Sequence, residues 1–210
     1  MLEIIVSVVV AWFVWRMAKR AQVGWGFWLL WVLASTGGWL FGFFVGWFGG
    51  YAVEGILPNY GSAAVVAALG AGVGIWQWFV LRRRVSRSGW WVLASILGLA
   101  VAAVVGTAVA LARGYSAIPE NFAVVAGVGG AMAGLMQWFV LRRQVSRAGW
   151  WVLASTVGWA VSGTVSGLVD QLEFMGFLAL PVGVAGCGVV LGAVTGLALV
   201  WLLRQPAKEA

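Results

Sequence analysis

The chain has 210 residues, 63% of them apolar and only 9% charged, with a mean hydropathy of +0.99. Soluble domains carry about 25% charged residues, so a water-soluble fold, which could not hide this much apolar surface, is excluded. The formal charge of +7 would suit nucleic acid, but the basic residues form short clusters between apolar runs of membrane-spanning length, so nucleic acid is excluded as a partner.

Other absences narrow the chemistry. The single cysteine, Cys187, rules out a disulfide within the chain. Histidine is missing, which removes the commonest ligand for haem, chlorophyll magnesium and zinc. No metal-ligand cluster is therefore expected.

Met1 to Met17 provides about 25 Å of helix at roughly 1.5 Å per residue, a short but sufficient first span. It begins with Glu3 and ends in Arg16, Lys19 and Arg20, the reverse of a secretory leader, and is read as retained. Trp25 to Gly49 is the second span, followed by a turn from Gly50 to Tyr60. Gly61 to Leu81 is the third, ending in an Arg corner from Arg82 to Ser88. Gly89 to Ala112 is the fourth, with a turn from Arg113 to Asn121. Phe122 to Leu141 is the fifth, a second corner runs from Arg142 to Ala148, and Gly149 to Val169 is the sixth. Asp170 to Gly176 turns the chain into a seventh span, Phe177 to Leu203, and a short tail.

An internal repeat organises these spans. Residues 77–101 align without a gap on residues 137–161, differing only at Arg84/Gln144, Ser88/Ala148, Ile96/Thr156, Leu97/Val157 and Leu99/Trp159. The period is 60 residues, and Trp31 to Trp39 (WVLASTGGW) is a partial copy of Trp151 to Trp159 (WVLASTVGW). The expected fold is all-α and membrane-integral: seven transmembrane helices in about three and a half parallel hairpin repeats. The chain reads as one transmembrane domain, 1–210, with units 1–60, 61–120 and 121–180 and a half unit 181–210.

Arg16, Lys19, Arg20, Arg82, Arg83, Arg84, Arg87, Arg142, Arg143, Arg147, Arg204 and Lys208 then share one side, and only Arg113 falls opposite. Basic loops stay in the cytoplasm, which gives an N-out/C-in orientation.

Helices associate in lipid by close backbone approach. Residues four apart share a helix face, and the even spans carry small residues at that spacing. Gly38, Gly42 and Gly46 stand in the second span, Gly98 and Gly106 in the fourth, Gly158 and Ser162 in the sixth. Gly70 and Gly74, Gly130 and Gly134, and Gly188, Gly192 and Gly196 form shorter ladders on odd spans. All are read as helix-packing positions.

Trp12, Trp15, Trp25, Trp76, Trp78, Trp90, Trp91, Trp138, Trp150, Trp151 and Trp201 fall near the basic edge and read as an interfacial belt. Trp39, Trp47 and Trp159, with Phe41, Phe43 and Phe44, lie deeper and read alternatively as the lining of a pigment or quinone pocket. Gln77 and Gln137 lie at the depth of Ser35, Ser95 and Ser155, so a Gln-to-Ser hydrogen bond across each hairpin is expected. The alternative is an anionic lipid headgroup site formed by Gln77, Arg82, Arg83 and Arg87 and again by Gln137, Arg142, Arg143 and Arg147.

No ionisable residue lies near the middle of a span, no intramembrane lysine exists for a Schiff base, and no nucleophile has a base. An enzyme is not expected. The leading function is a non-enzymatic interaction or scaffold protein, packing with itself as a homo-oligomer, with a larger membrane complex, or with membrane lipids through anionic headgroups. No cofactor is required by this reading. The alternative is a binder or carrier of a carotenoid, quinone or lipid. A second alternative, a channel or transporter for a small neutral solute, rests on the repeats and on Thr107, Ser162 and Thr164.

With QW, LRR, GWW and VLAS recurring in this order, most clearly over residues 77–101 and 137–161, the chain resembles tandem-repeat multi-spanning membrane proteins of cyanobacteria and related bacteria. The resemblance implies a multi-pass protein of the bacterial inner (plasma) membrane, or alternatively the thylakoid membrane, and implies no chemistry.

Overall fold

Among the described residues, six apolar runs make six helices. The computed structural model of the protein describes residues 23–112, 119–170, 176 and 179–205. The helices are α1 (Trp25–Ile56), α2 (Gly61–Leu81), α3 (Gly89–Ala112), α4 (Pro119–Leu141), α5 (Trp150–Asp170) and α6 (Ala179–Leu203). Each contains a segment long and apolar enough to cross a membrane, where a helix satisfies its backbone polar groups internally. The chain is thus helical throughout its described elements, as a multi-pass membrane protein requires. The first span expected over Met1 to Met17 lies outside the described residues.

Each helix packs on the helices next to it in sequence, and α6 also packs on α1, so the six described helices close into a ring. The Arg corners join α2 to α3 and α4 to α5 at one end, called here the basic end.

The boundaries follow local chemistry. A turn was expected from Gly50, but α1 continues to Ile56. The reason lies in what Gly50 does: a Cβ there would stand 2.8 Å from the Val65 side chain and 3.0 Å from the Gly61 carbonyl, so this glycine admits α2 rather than ending α1. The stop comes from Pro58, which disfavours helical geometry at Leu57; Leu57 is extended, with φ −127° and ψ 90°. Glu54 then seals the turn, its carboxylate accepting the Asn59 and Gly61 backbone N–H groups at 2.7 Å each. At the start of α4, Pro119 replaces the expected Phe122 as the first helical residue, a position that suits proline because no N–H is needed there.

The two corners are built alike. Leu81 accepts backbone N–H groups from Arg84 and Val85, and Leu141 from Gln144 and Val145. Val85 and Val145 turn inward and are buried, while Arg87 and Arg147 take left-handed φ values of 57° and 59°. Each corner thereby redirects the chain in a short turn.

The densest packing lies toward the basic end. Leu81, Leu141 and Leu199 are fully buried there around Trp31, Trp91 and Trp151.

Candidate functional site

Adjacent tryptophans in a helix point about 100° apart, so a Trp-Trp pair cannot send both rings to one place. Trp90 is 61% exposed and Trp91 0%; Trp150 and Trp151 divide in the same manner. The inner members, Trp91 and Trp151, join Trp31 at the centre of the ring. Their centroids are 5.4 to 6.0 Å apart in edge-to-face pairs, the arrangement that ring quadrupoles prefer. The belt expected from the sequence therefore splits: Trp25, Trp90 and Trp150 face outward, whereas Trp76, Trp91 and Trp151 are core.

A buried indole needs an acceptor for its N–H. Trp91 donates to Gln77 Oε1 at 2.9 Å, and Trp151 to Gln137 Oε1 at 3.0 Å. The amide nitrogens continue the chain of bonds, Gln77 Nε2 to Ser35 Oγ and Gln137 Nε2 to Ser95 Oγ, both at 3.1 Å. The expected Gln-to-Ser bond is present, but its partner is on the other side. Gln77 meets the serine of the preceding helix, not Ser95 across its own Arg corner, because that corner presents Trp91 to the glutamine carbonyl instead. Ser155 donates to the Gly130 carbonyl at 2.8 Å.

The third indole, Trp31, donates to Thr195 Oγ1 at 3.0 Å. Thr195 follows Gln137 by 58 residues rather than 60, as Gly188 follows Gly130 and Gly192 follows Gly134. The packing keeps that shorter register. Cβ atoms at Gly70, Gly130 and Gly188 would lie 3.1, 2.9 and 3.4 Å from the carbonyls of Ser95, Ser155 and Ser35, and Gly74, Gly134 and Gly192 face the side chains of the same three serines. The threonine was missed as a core acceptor, although shifting the glycine pairs by two residues would have found it.

The even-span ladders face the helix that follows. A Cβ would lie 2.7 Å from Val73 Cα at Gly38, 2.8 Å from Leu69 Cα at Gly42 and 3.1 Å from Val65 Cα at Gly46. At Gly98 it would lie 2.9 Å from Ala133 Cα; Gly106 and Gly158 are looser, at 3.2 Å from Val125 Cγ1 and 3.0 Å from Leu191 Cδ1. On α6, a Cβ at Gly188 would lie 2.6 Å from Thr36 Cα and one at Gly192 2.9 Å from Val32 Cα, and Gly196 stands against the rings of Trp28 and Trp31. Ser162 is buried, its hydroxyl bonded to the Gly158 and Cys187 carbonyls.

Beyond the indoles, away from the basic end, the six helices line a chamber of about 460 Å³ that is partly open to the outside. All six helices contribute to it: Trp39, Leu69, Leu99, Ala103, Gly129, Trp159, Ser162 and Leu191 are among its walls. From Leu99 to Leu111 it extends roughly 18 Å at about 1.5 Å per residue. Its polar groups cluster on one flank, where Ser166 Oγ and Cys187 Sγ are 2.7 Å apart beside Ser162. Thr107 also lines it, whereas Thr164 bonds the Ala160 carbonyl of its own helix. Trp39 and Trp159 join the chamber wall and stack edge-to-face at 5.5 Å. Phe41, Phe44 and Trp47, expected in the same pocket, are exposed on α1 instead, because their positions on the helix face away from the glycine ladder that α1 turns to α2.

The Arg corners carry the remaining expected site residues. Gln77 and Gln137 are not with them; both are buried in the indole network. Arg82 lies over the rings of Trp78 and Phe79 at 5.5 and 5.2 Å, and Arg142 over Trp138 and Phe139 at 5.2 and 4.6 Å. Arg83, Arg87, Arg143 and Arg147 are exposed. Among the described residues there is no group of three metal-ligating side chains.

No protein-family model, curated protein or solved structure compared with this chain matches it.

Proposed function

We propose that this is a non-enzymatic membrane protein that holds an apolar molecule in the chamber inside its helical ring. The observation that carries this reading is the chamber itself: about 460 Å³, lined by all six helices, with Trp39 and Trp159 edge-to-face in its wall. Concave, mostly apolar sites of a few hundred Å³ with a few convergent polar groups are the usual form of small-molecule sites. A quinone, a carotenoid end group or a lipid chain has the right chemistry, with Ser162, Ser166 and Thr107 available to a polar substituent. The membrane is a bacterial inner membrane in this proposal, with the Arg corners cytoplasmic, seven spans in all, and the 60-residue units related by rotation about the membrane normal.

A scaffold function is the second reading. The small-residue ladders face helices of the same chain, which leaves the outer surface of α1 as the place for a partner. Phe44, Trp47, Phe48 and Tyr51 are exposed there, and Trp47 and Tyr51 stack at 5.5 Å.

The deciding experiment is native mass spectrometry from mild detergent, with the released molecule identified after organic extraction. The chamber reading expects one defined apolar compound per chain, lost in Ala103→Trp, which fills the chamber. Protein from gentle extraction that carries only bulk lipid would overturn it.

A further inference from the structure

The basic end holds a second site that the chamber does not involve. A groove of about 690 Å³ runs between α3 and α4 on the outside of the ring. Its apolar wall includes Leu93, Leu97, Met136 and Phe139, and its basic end is rimmed by Arg87, Arg142 and Arg143. We propose that this groove binds one anionic phospholipid, the phosphate among the three arginines and one acyl chain along the apolar wall.

Charge complementarity selects the occupant. Among the described side chains the one carboxylate is Glu54, at the opposite end of the ring, so no described protein anion offsets the three guanidinium groups. Phosphate matches the planar fork of arginine, and Arg142 is held at the groove with its guanidinium carbon over the Trp138 and Phe139 rings. The apolar wall requires that the anion carry a chain.

The corresponding positions elsewhere on the ring are filled. In the register set by Thr195, Trp201 of α6 replaces Arg143, and it stacks edge-on against Trp150 of α5 at 6.2 Å. Between α1 and α2, Phe27 stands one period before Arg87, and Arg84 lies over its ring at 5.6 Å. Between α3 and α4 the residue matching Arg84 is Gln144, one of the few differences between the two copies. Gln144 donates to the Ser86 carbonyl at 2.6 Å and accepts the Ser86 hydroxyl at 2.9 Å. That pair ties one corner to the other and anchors the residue next to Arg87, whose left-handed backbone sets where its side chain leaves the corner. The repeat thus departs from itself where the groove is open.

The test is retention of phosphatidylglycerol and of phosphatidylcholine, matched in chain length, by the detergent-purified full-length protein under native mass spectrometry. The expected result is one phosphatidylglycerol retained at least about tenfold more strongly than phosphatidylcholine, as charge-assisted hydrogen bonds imply. Arg87→Gln with Arg143→Gln should abolish that preference, and Arg83→Gln, outside the groove, should leave it intact. Arg143→Trp, which copies the residue native to the neighbouring position, should lower retention without loss of fold. Equal retention of both lipids by the unaltered protein overturns the proposal. So does displacement of phosphatidylglycerol by millimolar glycerol phosphate, which would mark a site for a free anion.

Discussion

Trp31 Nε1 donates to Thr195 Oγ1 at 3.0 Å, and this bond joins the first described helix to the last. Both groups are buried, so neither has water as an alternative. Thr195→Val keeps the shape and removes the acceptor. It should destabilise the ring by about 1–3 kcal/mol, the usual penalty for a buried unpaired donor, whereas Thr195→Ser should lose under about 1 kcal/mol. Unfolding followed by titration of a denaturing detergent into mild micelles would check the order.

Gln77 and Gln137 each accept from one indole and donate to one serine. Gln137→Met retains the volume but strands the Trp151 N–H and removes a donor from Ser95. A loss of about 1–3 kcal/mol is expected. In a double-mutant cycle with Ser95→Ala, coupling of about 0.5–1.5 kcal/mol should appear, since the two side chains share a bond.

The glycine ladders should not respond uniformly. Gly42→Leu drives a side chain into the backbone of Ala68 and Leu69, 2.8 Å from the position of its Cβ, and is expected to prevent assembly of the α1–α2 pair. Gly158→Ala meets the flexible end of Leu191 at 3.0 Å and should cost under about 1.5 kcal/mol, because that side chain can move. Equal tolerance of both, measured as monomeric protein recovered by size exclusion, would refute the packing assignment of Gly42.

Arg87 and Arg147 hold φ near +57° and +59°, a region that strains side-chain-bearing residues by roughly 1–2 kcal/mol. Arg87→Gly should therefore be neutral to slightly stabilising, as relief of strain offsets the added freedom of the unfolded chain. Arg87→Val should be the least stable of the substitutions, since a β-branched residue tolerates positive φ worst. Thermal scans of the three proteins in one detergent would rank them.

Much of the ring could be read from residue types, because lipid enforces a simple rule: a long apolar run becomes a helix. The bounds of α2 and α3 match the expectation residue for residue. The end of α1 did not, since Gly50 carries the same letter whether it ends a helix or admits a neighbour. The tryptophans divided for a related reason. Hydropathy assigns Trp90 and Trp91 the same value, and only the angular step between them decides which ring enters the core. Thr195 escaped notice because it replaces a glutamine by a different side chain, in a register two residues shorter. Of the chamber only the Trp39 and Trp159 wall was signalled by residue type; its volume is what is left where Ala102, Ala103, Gly106 and Gly129 are too small to fill the ring.

Arg204 Nε donates to the Val23 carbonyl at 3.1 Å, so the strand of chain leaving α6 lies beside the strand entering α1. The two remaining pairs of this kind, α2 with α3 and α4 with α5, are joined covalently by corners of seven and eight residues. Among the described helices the bundle is a circle with one cut, and the location of the cut is not what shapes it. A circular permutant of residues 23–205 that seals the α6–α1 junction with a copy of the Arg142 to Ala148 corner and opens the chain between α1 and α2 preserves the contacts among the six described helices. In such a molecule the order of membrane insertion would change while the final ring would not.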